Sequence, residues 1–369
     1  MIRITDKTQC CGCSACYSAC PHNAITMKPD ALGFPYPYVD EEQCIDCGLC
    51  EKVCPCTAIY EGLSTENVFA AVNEDAAVRS SSSSGGVFPV AAGKVLDEGG
   101  KVYGAAFGHE TMSVRHHGAE THEDCRRFSG SKYVQSDLGD CFRDVKRDLE
   151  DGRKVLFSGT PCQVAGLLSF VGKHRDGLNT FACACHGVPS PMVWKRYYDE
   201  VCGNSSAVTF RDKSEGWKNY KVRIGEYASP AFSDPYMKAM LKGYTLRPSC
   251  RECIFKGKDT GFDILSGDWW SIGRLVPEMD DDKGTSALVI NTDTGKELMS
   301  DGGLRLLQMP ALDDPGNGGF RRRVFDTFDQ DKFAEDLSSC DSVYALLKSL
   351  TEATVMEKIV RRLKKLFKI

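Results

Sequence analysis

The chain has 369 residues, 42% of them hydrophobic and 26% charged, enough to bury the cores of two domains. Its 46 basic and 51 acidic residues leave a net charge of −5, which excludes a surface built to neutralise nucleic-acid phosphates. No stretch has the roughly 20 apolar residues of a membrane-spanning helix, and MIRITDKTQC lacks the build of a secretory signal, so the expected compartment is the cytoplasm. Residues 1–62 read as a small cysteine-rich module. Ten of the 19 cysteines fall within the first 56 residues, and reduced thiols crowded in that compartment act as metal ligands. From about residue 78 strand and helix signals alternate: strands at 101–107, 154–157 and 179–184, helices at 141–149, 163–171 and 192–201. Extended runs at 207–210, 220–224 and 287–291 predict a mixed sheet, so the fold class is α/β with a large domain over 78–340 behind the small one. At 354–369 apolar residues line one helical face and six basic residues the other. That helix suits either peripheral contact with an anionic membrane or docking on the chain's own core.

The small module repeats itself. Cys10, Cys13, Cys16, Cys20 and Pro21 recur 34 residues later as Cys44, Cys47, Cys50, Cys54 and Pro55, and Ala24-Ile25 recurs as Ala58-Ile59. C-x2-C-x2-C-x3-C-P is the spacing in which three thiolates hold three corners of a [4Fe-4S] cubane and the fourth cysteine crosses to the other cluster. Cluster one is therefore expected on Cys10, Cys13, Cys16 and Cys54, and cluster two on Cys44, Cys47, Cys50 and Cys20. Zinc motifs pair C-x2-C units instead. Cys11 and Cys56 lie outside the pattern and read as small apolar fillers. The module resembles bacterial two-cluster ferredoxins over its whole length.

Three loops of the large domain have the chemistry of a phosphate or ring cradle. Residues 80–86 hold five serines and two glycines, including Ser83, Ser84, Gly85 and Gly86, ahead of an apolar run; they suit a phosphate at a helix start, or a flexible linker. Ser158-Gly159-Thr160-Pro161-Cys162 joins a strand to a helix, with Thr160 as cap, Pro161 in the first turn and the Cys162 pKa lowered by the helix dipole. A capped helix with a buried cysteine reads as well. Gly130, Ser131, Lys132 and Tyr133 form a glycine turn with a lysine and an aromatic, either a platform for an anionic ring-bearing cofactor or a surface hairpin. His116 and His117 read as sheet-facing, and His186 as a proton donor or a loop hydrogen-bond partner. No G-x-G-x-x-G fingerprint follows a strand, which argues against direct nicotinamide binding.

These loops also carry a resemblance. Ser83-Ser84-Gly85-Gly86, Gly130-Ser131-Lys132-Tyr133, Ser158-Gly159-Thr160-Pro161-Cys162-Gln163, Cys185-His186-Gly187-Val188-Pro189-Ser190-Pro191, Cys250-x2-Cys253 and Gly267-Asp268-Trp269-Trp270 occur in that order. The set resembles the beta-subunit family of coenzyme F420-reducing hydrogenases and dehydrogenases, including ferredoxin-fused members, up to about residue 300. The resemblance implies a bound flavin, FAD rather than FMN, close to a third [4Fe-4S] cluster. It also implies hydride exchange with a deazaflavin or another two-electron substrate, fed by a redox partner protein or low-potential donor. The contrasting expectation is a non-catalytic subunit that relays electrons. The third cluster is expected on Cys162, Cys185, Cys250 and Cys253, with Cys183 as a substitute because strand alternation sends it to the same face as Cys185. Trp269 and Trp270 read as core residues or a flavin wall.

Overall fold

The structure, a computed structural model, describes residues 1–64, 66–108, 112–202, 207–300, 302–312, 319–321, 325 and 327–352. The basic C-terminal helix expected at 354–369 lies outside the described residues.

The internal repeat extends to the backbone. Gly12 and Asp46, then Ser14 and Gly48, are equivalent pairs, and all four take left-handed conformations with φ of 70°, 53°, 60° and 73°. Glycine at one site of each pair reflects that cost; Ser14 and Asp46 bear it to turn the chain around the thiols. Short helices follow at Ala15–Ala19 and Leu49–Lys52. Strands β1 (Ile25–Pro29) and β2 (Pro35–Val39) form a hairpin. Its turn is closed by Asp30, whose Oδ1 accepts from the Leu32 and Phe34 amides, each at 3.0 Å.

The large unit is built on an eight-stranded mixed sheet. Its strands are β3 (Val68–Asn73), β4 (Lys101–Phe107), β5 (Val114–Ala119), β6 (Val155–Gly159) and β7 (Leu178–Cys183). Strands β8 (Val208–Asp212), β9 (Lys221–Ile224) and β10 (Tyr227–Pro230) make a separate three-stranded antiparallel sheet. The large sheet is completed by β11 (Ile264–Asp268), β12 (Ser286–Ile290) and β13 (Leu304–Met309), in the order β13-β3-β12-β11-β7-β6-β4-β5. Its four middle strands, β11, β7, β6 and β4, are parallel and flanked by antiparallel neighbours. Leu156, Phe157, Ala182 and Ile264 are fully buried there, as parallel strands covered on both faces require.

Two expectations change. The extended runs at 207–210 and 220–224 leave the main sheet; its mixed character comes from β5, β12, β3 and β13. The sheet also takes in Val68–Asn73, ahead of the start expected near 78. The runs at 207–210 and 220–224 pair with each other and with Tyr227–Pro230 as a local meander, whereas Val68–Asn73 pairs with strands more than 200 residues away, of which local periodicity carries no record.

Helix Pro161–Val171, which follows β6, packs against the Ala15–Ala19 helix of the small unit. The contact is close because Gly166 faces it: a Cβ there would stand 2.8 Å from Cys13 Sγ. Helix Pro248–Arg251 packs on the turn Lys7–Gln9. Helices Gln330–Ser339 and Val343–Thr351 bury Phe333, Leu337, Val343 and Leu347, each worth about 1.5–3 kcal/mol, in the core that covers the small sheet. Among the described residues no helix is long and apolar enough to cross a membrane.

Candidate functional site

Because β4, β6, β7 and β11 run in parallel, their carboxyl ends share one edge of the sheet, where α/β folds gather ligands. A cavity of about 300 Å³ opens there, and the three loops singled out in the sequence converge on it. Ser83, Ser84, Gly86, Gly130, Ser131, Lys132, Ser158, Gly159 and Thr160 line it; Gly85 stands behind the wall.

The 80–86 run is not a linker. Ser80 and Ser81 end a helix, Ala76–Ser81, capped by Asp75. The rest is pinned to the sheet: Ser84 Oγ donates to Thr285 O at 2.9 Å and the Gly85 amide donates to Ser286 Oγ at 2.9 Å. A Cβ on Gly85 would lie 2.2 Å from Ala71 O, so only glycine lets the loop approach this closely. Helix Phe88–Asp97 then starts beside the cavity. Ser83 Oγ meets Ser131 Oγ at 2.8 Å, joining the first loop to the third.

The loop after β6 is a capping box: Thr160 precedes Pro161, and Gln163 Oε1 accepts from the Thr160 amide at 2.9 Å. Gln163 Nε2 also holds Ser136 Oγ at 2.9 Å. The Cys162 thiol sits below its ordinary pKa, but the cause is a hydrogen bond from Cys11, opposed by burial and aided by Thr160, rather than the helix dipole alone. Residues 128–136 form no hairpin. Gln135 N donates to Pro189 O, and the buried Val134 and Ser136 on either side of it are part of the wall.

Lys132 lines the cavity with its stem, yet its ammonium turns back on its own loop and donates to the carbonyls of Arg127, Phe128, Ser129 and Gly130 at 2.8–3.2 Å. It shapes the cradle, and burial pulls its pKa down to about 7. His116 faces the cavity side of the sheet: Nε2 lies 3.1 Å from Ser158 O, the ring stacks on Phe157, and burial lowers its pKa to about 4. His186 lines the cavity, and Lys256 Nζ donates to its carbonyl at 2.6 Å. Trp269 is buried in the core and Trp270 stacks on Trp217 at 4.5 Å; neither lines the cavity.

Asp268, at the end of β11, receives Arg211 from β8 in a two-pronged pair, at 2.9 and 3.2 Å. Arg211 also donates to Tyr133 Oη and Ser83 O, both at 3.1 Å, and lies over the Tyr220 ring at 4.1 Å. One guanidinium thus ties three stretches of the wall to the small sheet. Nothing local marks Arg211, since its partners are 57 to 128 residues away in the chain.

The thiols fall into three groups. One small cavity is lined by Cys10, Cys13, Cys16 and Cys54, with Cys11 and Cys56, and a second by Cys20, Cys44, Cys47 and Cys50; of the cysteines in the repeated pattern, each cavity takes three from one half and the fourth from the other. In the large unit the charges acting on Cys185 are those of Cys250, Cys162, Lys256 and Cys253. Burial and then mutual repulsion push Cys185 well up and Cys250 up to about 12, and burial raises Cys253. Cys183 is elsewhere: β7 ends at it, alternation stops, and its thiol lies 3.8 Å from Ser158 Oγ on the cavity side, near Lys132. It is no substitute for Cys185. Nor are Cys11 and Cys56 mere fillers. The Cys56 thiol donates to Cys11 Sγ at 3.5 Å, and Cys11 meets both Cys13 and Cys162.

Residues 9–58 match the 4Fe-4S dicluster domain, and residues 152–306 match the C terminus of the coenzyme F420 hydrogenase/dehydrogenase beta subunit. No curated protein matches the chain. A solved chain from the F420-reducing [NiFe] hydrogenase complex of Methanosarcina barkeri is similar in fold, with a TM-score of 0.50 at 16% identity over 79% of this chain and 92% of that one. The chain thus pairs a 4Fe-4S dicluster domain at residues 9–58 with a stretch at 152–306 that matches the C terminus of coenzyme F420 hydrogenase and dehydrogenase beta subunits.

Proposed function

We propose that the chain is a cytoplasmic iron-sulfur flavoprotein oxidoreductase in which electrons pass between its clusters and a flavin seated in the edge cavity. One observation carries the reading: Cys185 belongs both to the cavity wall and to the four-thiol group. In this reading Cys10, Cys13, Cys16 and Cys54 hold cluster one, and Cys20, Cys44, Cys47 and Cys50 hold cluster two. Cys162, Cys185, Cys250 and Cys253 hold a third. Cys20 and Cys50 pack against the small apolar core that holds Cys16, and Cys11 meets both Cys13 and Cys162, which supports a route from the outer thiols toward the cavity. A bound flavin, FAD in preference to FMN, supplies the exchange between single electrons and a two-electron substrate such as a deazaflavin. The glycines and serines of the three loops leave backbone amides and small hydroxyls toward its phosphates, and Lys132, Gln163 and Arg211 fix those loops in advance.

A relay role is the second reading, favoured by the origin of the similar fold in a hydrogenase complex. The two separate on one preparation. Chain purified without oxygen and reconstituted with iron, sulfide and FAD should release a flavin on acid treatment, and should reduce a deazaflavin faster than NADP. Clusters without retained flavin would make it a relay; preference for NADP would overturn the choice of acceptor.

A further inference from the structure

The repeat builds two near-identical ligand loops, which by themselves would give two clusters of similar potential. Their surroundings differ. At cluster two, Cys47 is exposed, and Asp46 and Glu51 sit beside it, engaged by the N-terminal amine at 2.6 and 3.3 Å. At cluster one lies Arg247, whose side chain is wholly buried. Its Nε donates to Cys10 O at 2.7 Å, and Nη1 donates to Gln135 Oε1 at 3.1 Å. Nη2 donates to Pro35 O at 3.0 Å and lies 3.5 Å from Cys10 Sγ. The guanidinium also lies over the Tyr36 ring at 4.1 Å.

Every oxygen in that shell is neutral. Among the described residues no carboxylate pairs with Arg247, although guanidinium groups elsewhere in the fold find one. Burying a cation without a counter-ion costs several kcal/mol, so the shell implies an anion at Cys10. A thiolate-bound iron-sulfur cluster is that anion, and it gains a further negative charge on reduction. A fixed cation beside it therefore stabilises the reduced form, whereas at the other cluster the N-terminal ammonium is paired with Asp46 and Glu51 and leaves no net positive charge.

We propose that Arg247 is the counter-charge of cluster one and holds that cluster's potential above cluster two's, so that electrons entering at the exposed end run inward. In the step one electron leaves cluster two, having come from a low-potential one-electron donor, and enters cluster one; no bond or proton moves. The inference rests on the two-cluster reading alone and not on the flavin. Cys250 is also near Arg247, so a third cluster would feel the same charge.

The test is a potentiometric titration of reconstituted full-length chain followed by electron paramagnetic resonance, with iron content measured on each sample. Wild type should reduce in separate steps, and Cys47→Ser, which touches only cluster two, should move the lower of the two ferredoxin steps. Arg247→Gln should move the cluster-one step downward by at least about tenfold in the one-electron equilibrium, 59 mV, and leave the cluster-two step in place; Arg247→Lys should restore most of the gap. An Arg247→Gln protein with unchanged iron and unchanged steps overturns the proposal. So does an equal shift of both steps. If that variant loses its clusters, the wild-type and Cys47→Ser titrations decide: a Cys47→Ser shift in the higher step overturns it. Absence of two clusters in the wild type would instead defeat the two-cluster reading itself.

Discussion

Arg211 reaches the cavity wall from a strand that belongs to a different sheet. Its guanidinium is buried, its two prongs meet one carboxylate, and the same two nitrogens also donate to Tyr133 and Ser83. A pair of this kind adds little net stability over a well-packed apolar pair, but removing one partner leaves the other charged and buried. Asp268→Asn is therefore expected to cost about 3–5 kcal/mol and to loosen the 83, 133 and 268 stretches together. Urea denaturation of the purified variant measures the loss, and a change below about 1 kcal/mol, the worth of a surface pair, would show that the pair is solvated. Arg247 poses the same electrostatic problem without a carboxylate. Neither arginine was legible in the sequence, because a buried cation looks like any other Arg until the fold brings its distant partners to it. The cysteines were legible because their chemistry is written in spacing over a few residues.

At the scale of elements, the cavity depends on how closely the serine-glycine loop lies on β3 and β12. Gly85 fits between Ala71 O and Ser286 N, and both obstacles are backbone atoms that the sheet holds in place. Gly85→Ala should destabilise by about 1–3 kcal/mol through overpacking, whereas Ser84→Ala, which removes one hydrogen bond, should cost about 1 kcal/mol. Gly85→Ala should also retain less flavin after gel filtration than Ser84→Ala at equal folded fraction. Equal retention would separate the loop's packing from the cradle. The βα elements at 154–171 and 178–201 were readable within a residue or two, since period, proline and cap signals agree there. Strand order was not readable. The sequence pattern contains β8 and β9 as extended runs but says nothing of which sheet they join, and the ion pair from β8 to Asp268 at the end of β11 is a consequence of that separate sheet.

Over the whole molecule, the small unit and the large one meet through sulfur. Gly166 admits Cys13 against the helix that begins at Pro161, Arg247 crosses to Cys10, and Cys11 lies between Cys13 and Cys162. The order is an outer thiol set with Cys47 exposed, an inner set, a third set, and the cavity whose wall includes Cys185. The most direct test is anaerobic rapid mixing of reconstituted full-length chain with a reduced low-potential ferredoxin, a donor too large to enter the cavity, while cluster and flavin absorbance are followed separately. The wild type should hold about 12 irons, and its flavin band should bleach after the clusters. Cys253→Ala should hold about 8 irons and bleach its flavin at least about tenfold more slowly, with the ferredoxin-domain clusters still reduced at the wild-type rate. Wild type that holds only about 8 irons after full reconstitution, or flavin that bleaches equally fast in Cys253→Ala, would contradict a route through the third set of thiols.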